Sequence, residues 1–249
     1  MLEKSQAKYI QSLSQKKFRD QEQAFIAEGP KIINELLYAE NIELLALYAI
    51  EKWVSDNPSL ASQIPKELFF QIKEKELERI SNLQTPNQVV AIFKKPVFPQ
   101  PIFENKISLL LDGIQDPGNM GTLLRTADWF GIGQVICNKE TVDVFNTKVV
   151  QSTMGSIARV QVIYDDLEDF IKKHSSLPVY ATELNGKNLF EMKPVKACFI
   201  LIGNESKGVS KELSALASDH IMIPKFGQAE SLNAAVAAGI VLGHLSANR

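Results

Sequence analysis

Beyond Lys106 the chain alternates short apolar runs with helical stretches, and that alternation restricts the available folds more than any other feature. Ile107–Leu111, Gln134–Cys137, Val160–Ile163, Pro178–Leu184, Ala197–Gly203 and Ile221–Pro224 read as strands. Pro117–Phe130, Asn146–Ile157, Asp166–His174 and Ser210–Ala217 read as the helices between them. Apolar runs of this length separated by helices predict a mostly parallel sheet covered on both faces. The last stretch, Ser231–Leu245, is alanine-rich and opens on serine, a favoured N-cap. A helix is expected there, with Ser231 and Asn233 in its first turn, where free backbone N–H groups attract anionic or oxygen-bearing ligands. Its small residues Ala234, Ala235, Ala237, Ala238 and Gly239 would let another helix approach closely.

The first 95 residues alternate differently. Ala24–Glu28, Ile42–Ile50, Glu67–Gln71 and Val89–Phe93 read as strands. Gly29-Pro30 opens a helix with proline in its first turn, and further helices fall near Ser5–Gln15, Glu51–Asp56 and Lys73–Ser81. These elements suit a small α/β sandwich. Lys94–Pro101 carries three prolines, Pro96, Pro99 and Pro101, which stop both helix and central strand. The expected organisation is therefore a domain over residues 1–95, a proline-rich linker over 96–106, and a second domain over 107–249.

Composition narrows the function. A net charge of −2 with 22% charged residues gives no global nucleic-acid signal. Residues 1–20 nevertheless place Lys4, Lys8, Lys16, Lys17 and Arg19 against Glu3 and Asp20, a local net +3. That suits a phosphate-facing surface, and equally a solvated helix face. No apolar run reaches the roughly 20 residues of a membrane span, and the first residues are too polar for a signal peptide, so a cytoplasmic protein is expected. Cys137 and Cys198 lie in strand-like apolar runs, which predicts buried, reduced thiols and no metal site.

Three motifs sit where strands end, the place at which ligands collect in parallel sheets. The first is Asp116-Pro117-Gly118-Asn119-Met120-Gly121, with Arg125-Thr126-Ala127 on the helix it opens; Asn119 and Arg125 are expected on one helix face. The second is Ile202-Gly203-Asn204-Glu205, ahead of Gly208. The third is Ile223-Pro224 with Ser231-Leu232-Asn233. Each alone reads as an ordinary turn or packing element. Gly203 to Gly208 lacks the lysine of a phosphate-binding Walker loop, and the first crossover lacks the dinucleotide glycine fingerprint, which argues against a nicotinamide-dependent dehydrogenase.

Taken together and in this order, the motifs resemble those of the SpoU (TrmH-type) RNA ribose 2′-O-methyltransferases of the SPOUT class. The resemblance covers residues 107–249 and includes Asn146–Gly155; the region around Phe25–Lys31 resembles the RNA-binding substrate domain that many members carry. It implies a trefoil-knotted α/β domain, S-adenosylmethionine as cofactor, and a homodimer with a shared active site. It assigns Gly203, Ile223 and Leu232 to the cofactor and makes Asn119, Arg125, Glu205, Ser231 and Asn233 the functional polar set. Ribosomal RNA is the expected substrate and transfer RNA the runner-up. A guanidinium is a poor base, so Arg125 is expected to orient the ribose and its phosphate. That phosphate, or a deprotonated Arg125, would take the proton, with Glu205 anchoring Arg125. Ser206, Gln151 and Lys225-Phe226 depart from the common pattern, yet no proposed catalytic residue is missing. The rival reading is a catalytically silent RNA-binding or ribosome-assembly protein of the same fold.

Overall fold

The computed structural model describes residues 2–247. The chain begins with α1 (Lys4–Ser12), α2 (Lys16–Glu22), β1 (Ala24–Glu28), α3 (Pro30–Leu37) and β2 (Leu44–Ala49). It continues through α4 (Glu51–Asp56), α5 (Pro58–Gln63), β3 (Phe69–Gln71), α6 (Glu74–Ile80) and β4 (Val89–Lys94). Then follow β5 (Ile107–Asp112), α7 (Pro117–Trp129), β6 (Gln134–Cys137), α8 (Thr147–Thr153), β7 (Gln161–Tyr164) and α9 (Leu167–Lys173). The last elements are β8 (Val179–Asn188), β9 (Cys198–Gly203), α10 (Lys211–Ala215), β10 (Asp219–Met222) and α11 (Ala234–Leu245).

Two compact units result: the chain up to Phe98 with Asp143–Ala158, and Pro99–Val142 with the chain from Arg159 onward. The first unit is built on a mixed sheet in the order β1-β4-β2-β3, with β4 antiparallel to both neighbours. Every residue of β1 is buried. One cause is the return of the chain at 143–158, a segment that sequence reasoning places inside the second domain. There α8 packs on β1, and the Phe145 ring lies 5.2 Å from that of Phe25. An internal ion pair fixes the same segment. The Arg19 guanidinium, 2% exposed, donates to the Leu13 and Ser14 carbonyls and to the Asp143 carboxylate at 2.5 Å. A buried arginine needs this full set of acceptors, because an unpaired charge in the interior is costly. The short helix α2 that places Arg19 is invisible to apolar periodicity, being almost wholly polar.

The second unit is an all-parallel six-stranded sheet in the order β10-β8-β9-β5-β6-β7. Its central strands β5, β6 and β9 are buried on both faces except at Gly203. That matches the continuous apolar runs read from the sequence. One long core unites Phe170, Phe199 and Phe103 with aliphatic residues of β5, β8 and β9. Both cysteines are buried and neither forms a disulfide; burial pushes the Cys137 thiol far above its ordinary range, so it stays protonated and inert.

Candidate active site

The second unit brings the three motifs to the carboxyl ends of its strands: the first two follow the central strands β5 and β9, and the third follows the edge strand β10. β5 and β9 run parallel with Asp112 opposite Gly203, so the loops that follow them leave the sheet side by side. Two tethers hold those loops together. Asn204 Nδ2 donates to the Gly113 carbonyl at 2.7 Å, and the Ser210 N–H donates to the Asp112 carboxylate at 2.7 Å. The other Asp112 oxygen accepts from Asn138 Nδ2, also at 2.7 Å. The 204–208 loop closes on itself, because Asn204 and Gly208 exchange both backbone bonds. Asn204 Oδ1 then accepts from the N–H groups of Ser206 and Lys207. Gly203 presses against this turn: a β-carbon there would lie 2.1 Å from the Gly208 carbonyl carbon.

Two helix starts face this turn. Asp116 caps α7 by accepting from the Asn119 N–H at 2.8 Å. Asn233 caps α11, its Oδ1 accepting from Ala235 and Val236 at 2.9 and 3.3 Å. The Asn233 Nδ2 donates to Asn119 Oδ1 at 2.7 Å, and Asn119 Nδ2 donates to Glu205 Oε1 at 2.7 Å. A continuous chain of hydrogen bonds therefore joins one polar residue from each motif. The carboxylate at its end can only accept, which fixes the direction of both amides.

Three expectations are corrected. Ser231 is not the N-cap: α11 starts at Ala234, and only the residue just before it reaches the free N–H groups of the first turn. Ser231 lies exposed two residues upstream. Asn119 and Arg125 do not share a helix face; six residues at ~100° each leave them about 120° apart. Nor does Glu205 anchor Arg125, since it accepts from Asn119. Arg125 is exposed and makes no ion pair among the described residues, while its other neighbour in sequence, Asp128, pairs with Arg159 at 2.9 Å.

The residues expected around the cofactor occupy strand ends and the last connection. Gly203 closes β9 and Ile223 follows β10, so the two flank β8 at one end of the sheet. Leu232, 48% exposed, precedes the cap of α11. Together they offer aliphatic surface and backbone polar groups without charge, a donor set that fits a neutral adenosine. Next to the motif loops lies a cavity of about 470 Å³ between the ends of β5, β6 and β7, whose walls include Gln115, Asn138, Lys139, Glu140, Asp165 and Asn204. Sequence reasoning overlooked Asn138 and gave no role to Asp112 or to Asn204 of the second motif, yet these three hold the loops. The available signal was a polar residue placed immediately at or after an otherwise apolar strand.

Residues 106–243 match the model of the SpoU rRNA Methylase family, and residues 4–91 match that of the MRM3-like substrate binding domain. The chain is 32% identical over 237 residues to the 23S rRNA (guanosine(2553)-2′-O)-methyltransferase RlmP of Bacillus subtilis, covering 94% of this chain and 92% of the relative. Among solved structures, a TrmH-family protein of Porphyromonas gingivalis superimposes with a TM-score of 0.85 at 36% identity over 98% of each chain. An AdoMet-bound rRNA methyltransferase of Sinorhizobium meliloti gives 0.84 at 32% identity, covering 98% of this chain and 94% of that one.

Proposed function

The chain belongs to the SpoU rRNA methylase family and is an S-adenosylmethionine-dependent RNA ribose 2′-O-methyltransferase; on that premise we propose that it modifies large-subunit ribosomal RNA, as a homodimer. The observation that carries the assignment of roles is the hydrogen-bonded chain Asn233–Asn119–Glu205, which ties together one polar residue from each motif. The ribosomal substrate is supported by the B. subtilis relative, whose name gives guanosine 2553 of 23S rRNA as its target. The relatives of B. subtilis, P. gingivalis and S. meliloti are bacterial, and ribosomes of bacteria are built in the cytoplasm, which supports that location for this chain.

Bound S-adenosylmethionine supplies an electrophilic methyl group. Gly203, Ile223 and Leu232 hold the adenosine through backbone groups and aliphatic surface. The 2′-hydroxyl is a weak nucleophile, so acceptor placement contributes much of the acceleration. Arg125 grips the ribose and its phosphate with the planar fork of its guanidinium. The hydroxyl proton passes to that phosphate. Asn119, Glu205 and Asn233 keep the motif loops in register, and Ser231 offers its hydroxyl in the final loop.

Dimerisation is supported by apolar surface that one copy leaves bare. α11 is apolar all round, which suits a helix covered on every side. Yet Val236 on α11 is 51% exposed, and Trp129 on α7, the helix it packs against, is 86% exposed. A knotted path in the second unit is supported by its strand order, since the chain leaves β9 and crosses β8 to reach β10 at the edge of the sheet. Residues 2–98 take the role of RNA capture.

The test uses purified protein, S-adenosylmethionine and a 23S rRNA transcript. Mass-spectrometric mapping should find a single new 2′-O-methyl group. Calorimetry should detect cofactor binding, and sedimentation should give a dimer. Cofactor binding without methylation of any ribosomal RNA would overturn the substrate assignment; absence of cofactor binding would favour a silent RNA-binding role.

A further inference from the structure

The connection between β10 and α11 carries the most exposed large apolar side chain of the described residues. Phe226 is 94% exposed, and its neighbours are polar or small: Lys225, Gly227, Gln228, Ala229 and Glu230. Leu232, in the same connection, is 48% exposed. An isolated exposed apolar residue is unremarkable on most surfaces. Here the segment that presents it starts at Ile223 and ends at Ser231 and Asn233, so a functional residue borders it at each end.

We propose that Phe226 is a positioning residue for the substrate: a stacking platform for an unpaired RNA base next to the methylated ribose, with Lys225 answering the neighbouring phosphate. The proposal rests on the reading of the protein as an RNA ribose methyltransferase. Sequence-specific recognition of RNA targets loops, bulges and ends whose unstacked bases are splayed out, and proteins hold such bases by stacking them on aromatic side chains. A phenyl ring serves any base, because every base has a π-face. The flanking Gly227 brings no side chain that would obstruct a base lying flat on the ring. The chain's small net negative charge makes a local cation beside the ring useful, since long-range attraction for RNA is weak here. The cofactor and a second copy of the chain are the competing occupants of the ring, and each predicts a different loss when it is removed.

Phe226→Ala and Phe226→Trp are compared with the unaltered protein in three measurements: methylation kinetics on the 23S rRNA transcript, calorimetry with S-adenosylmethionine, and sedimentation. Loss of one base-stacking contact in Phe226→Ala should raise the KM for RNA roughly tenfold. Cofactor affinity and dimer formation should be unchanged, and Phe226→Trp should restore the KM. The added tryptophan should also show fluorescence that RNA quenches and cofactor alone does not, after subtraction of the signal from Trp53 and Trp129. A loss of cofactor affinity at unchanged KM for RNA would place the ring on the adenosine. Dissociation of the dimer would place it in a subunit interface. Wild-type behaviour of Phe226→Ala in all three would leave it without a role, and each of these outcomes overturns the proposal. If the unaltered protein fails to methylate the transcript, the functional reading itself has failed; if it succeeds while Phe226→Ala matches it, only this inference has.

Discussion

Arg125 and Gly203 show how differently two residues of the proposed site depend on their surroundings. Arg125 has no structural partner among the described residues, so replacing it should leave the fold intact. Arg125→Lys keeps the charge but loses the planar fork. Single-turnover methylation should slow by roughly 10²-fold or more, the scale of a lost positioning contact. Cofactor affinity measured by calorimetry should stay the same, and near wild-type turnover would exclude a role in catalysis. Gly203 is the opposite case. A methyl group there meets the backbone of Gly208 and Val209 at 2.1–2.2 Å, and neither is a flexible side-chain end that could swing aside. Gly203→Ala should therefore displace the 204–208 loop and break the Glu205 contact with Asn119. Loss of cofactor binding together with a lowered Tm is the expected result.

At the scale of elements, the segment 143–158 carries the clearest energetic prediction. Asp143 neutralises a guanidinium that is almost fully buried, and the pair locks α2 to the segment leading into α8. Removing one partner of such a pair typically costs ~3–5 kcal/mol, because the other charge stays behind unpaired. Asp143→Ala should lower stability by about that amount in urea titration, whereas Arg125→Lys should not. A loss below ~1 kcal/mol would mean that solvent reaches Arg19 on relaxation, the regime of surface pairs. The caps of α7 and α11 belong to this scale as well. Asp116 and Asn233 were both legible as cap-type residues, yet Ser231 was the favoured cap. Sequence alone offers two such residues within three positions, and packing of α11 against α7 selects which one begins the helix.

At the scale of the whole molecule, the two units are not two uninterrupted lengths of chain. Removing residues 1–98 should leave a fragment that still binds S-adenosylmethionine but captures RNA poorly. The same cut strips Phe25 from Phe145 and Arg19 from Asp143, so the fragment should bind a hydrophobic dye and melt below the intact protein. RNA binding equal to that of the full chain at the same salt would remove the capture role from the first unit. The amino-acid sequence by itself determined the parallel sheet, through runs that are apolar without alternation, and it determined the three motifs, through residue types that only strand ends and helix starts accommodate. Local pattern carries that information because each element's period and cap are set within a few residues. Which side chains meet was decided by the tertiary structure alone. Asn119, Glu205 and Asn233 are separated by 86 and 114 positions from their partners, and α8 joins a unit from which it is remote in sequence. No periodicity encodes such contacts; the order of strands in the sheet and the packing of buried charge produce them.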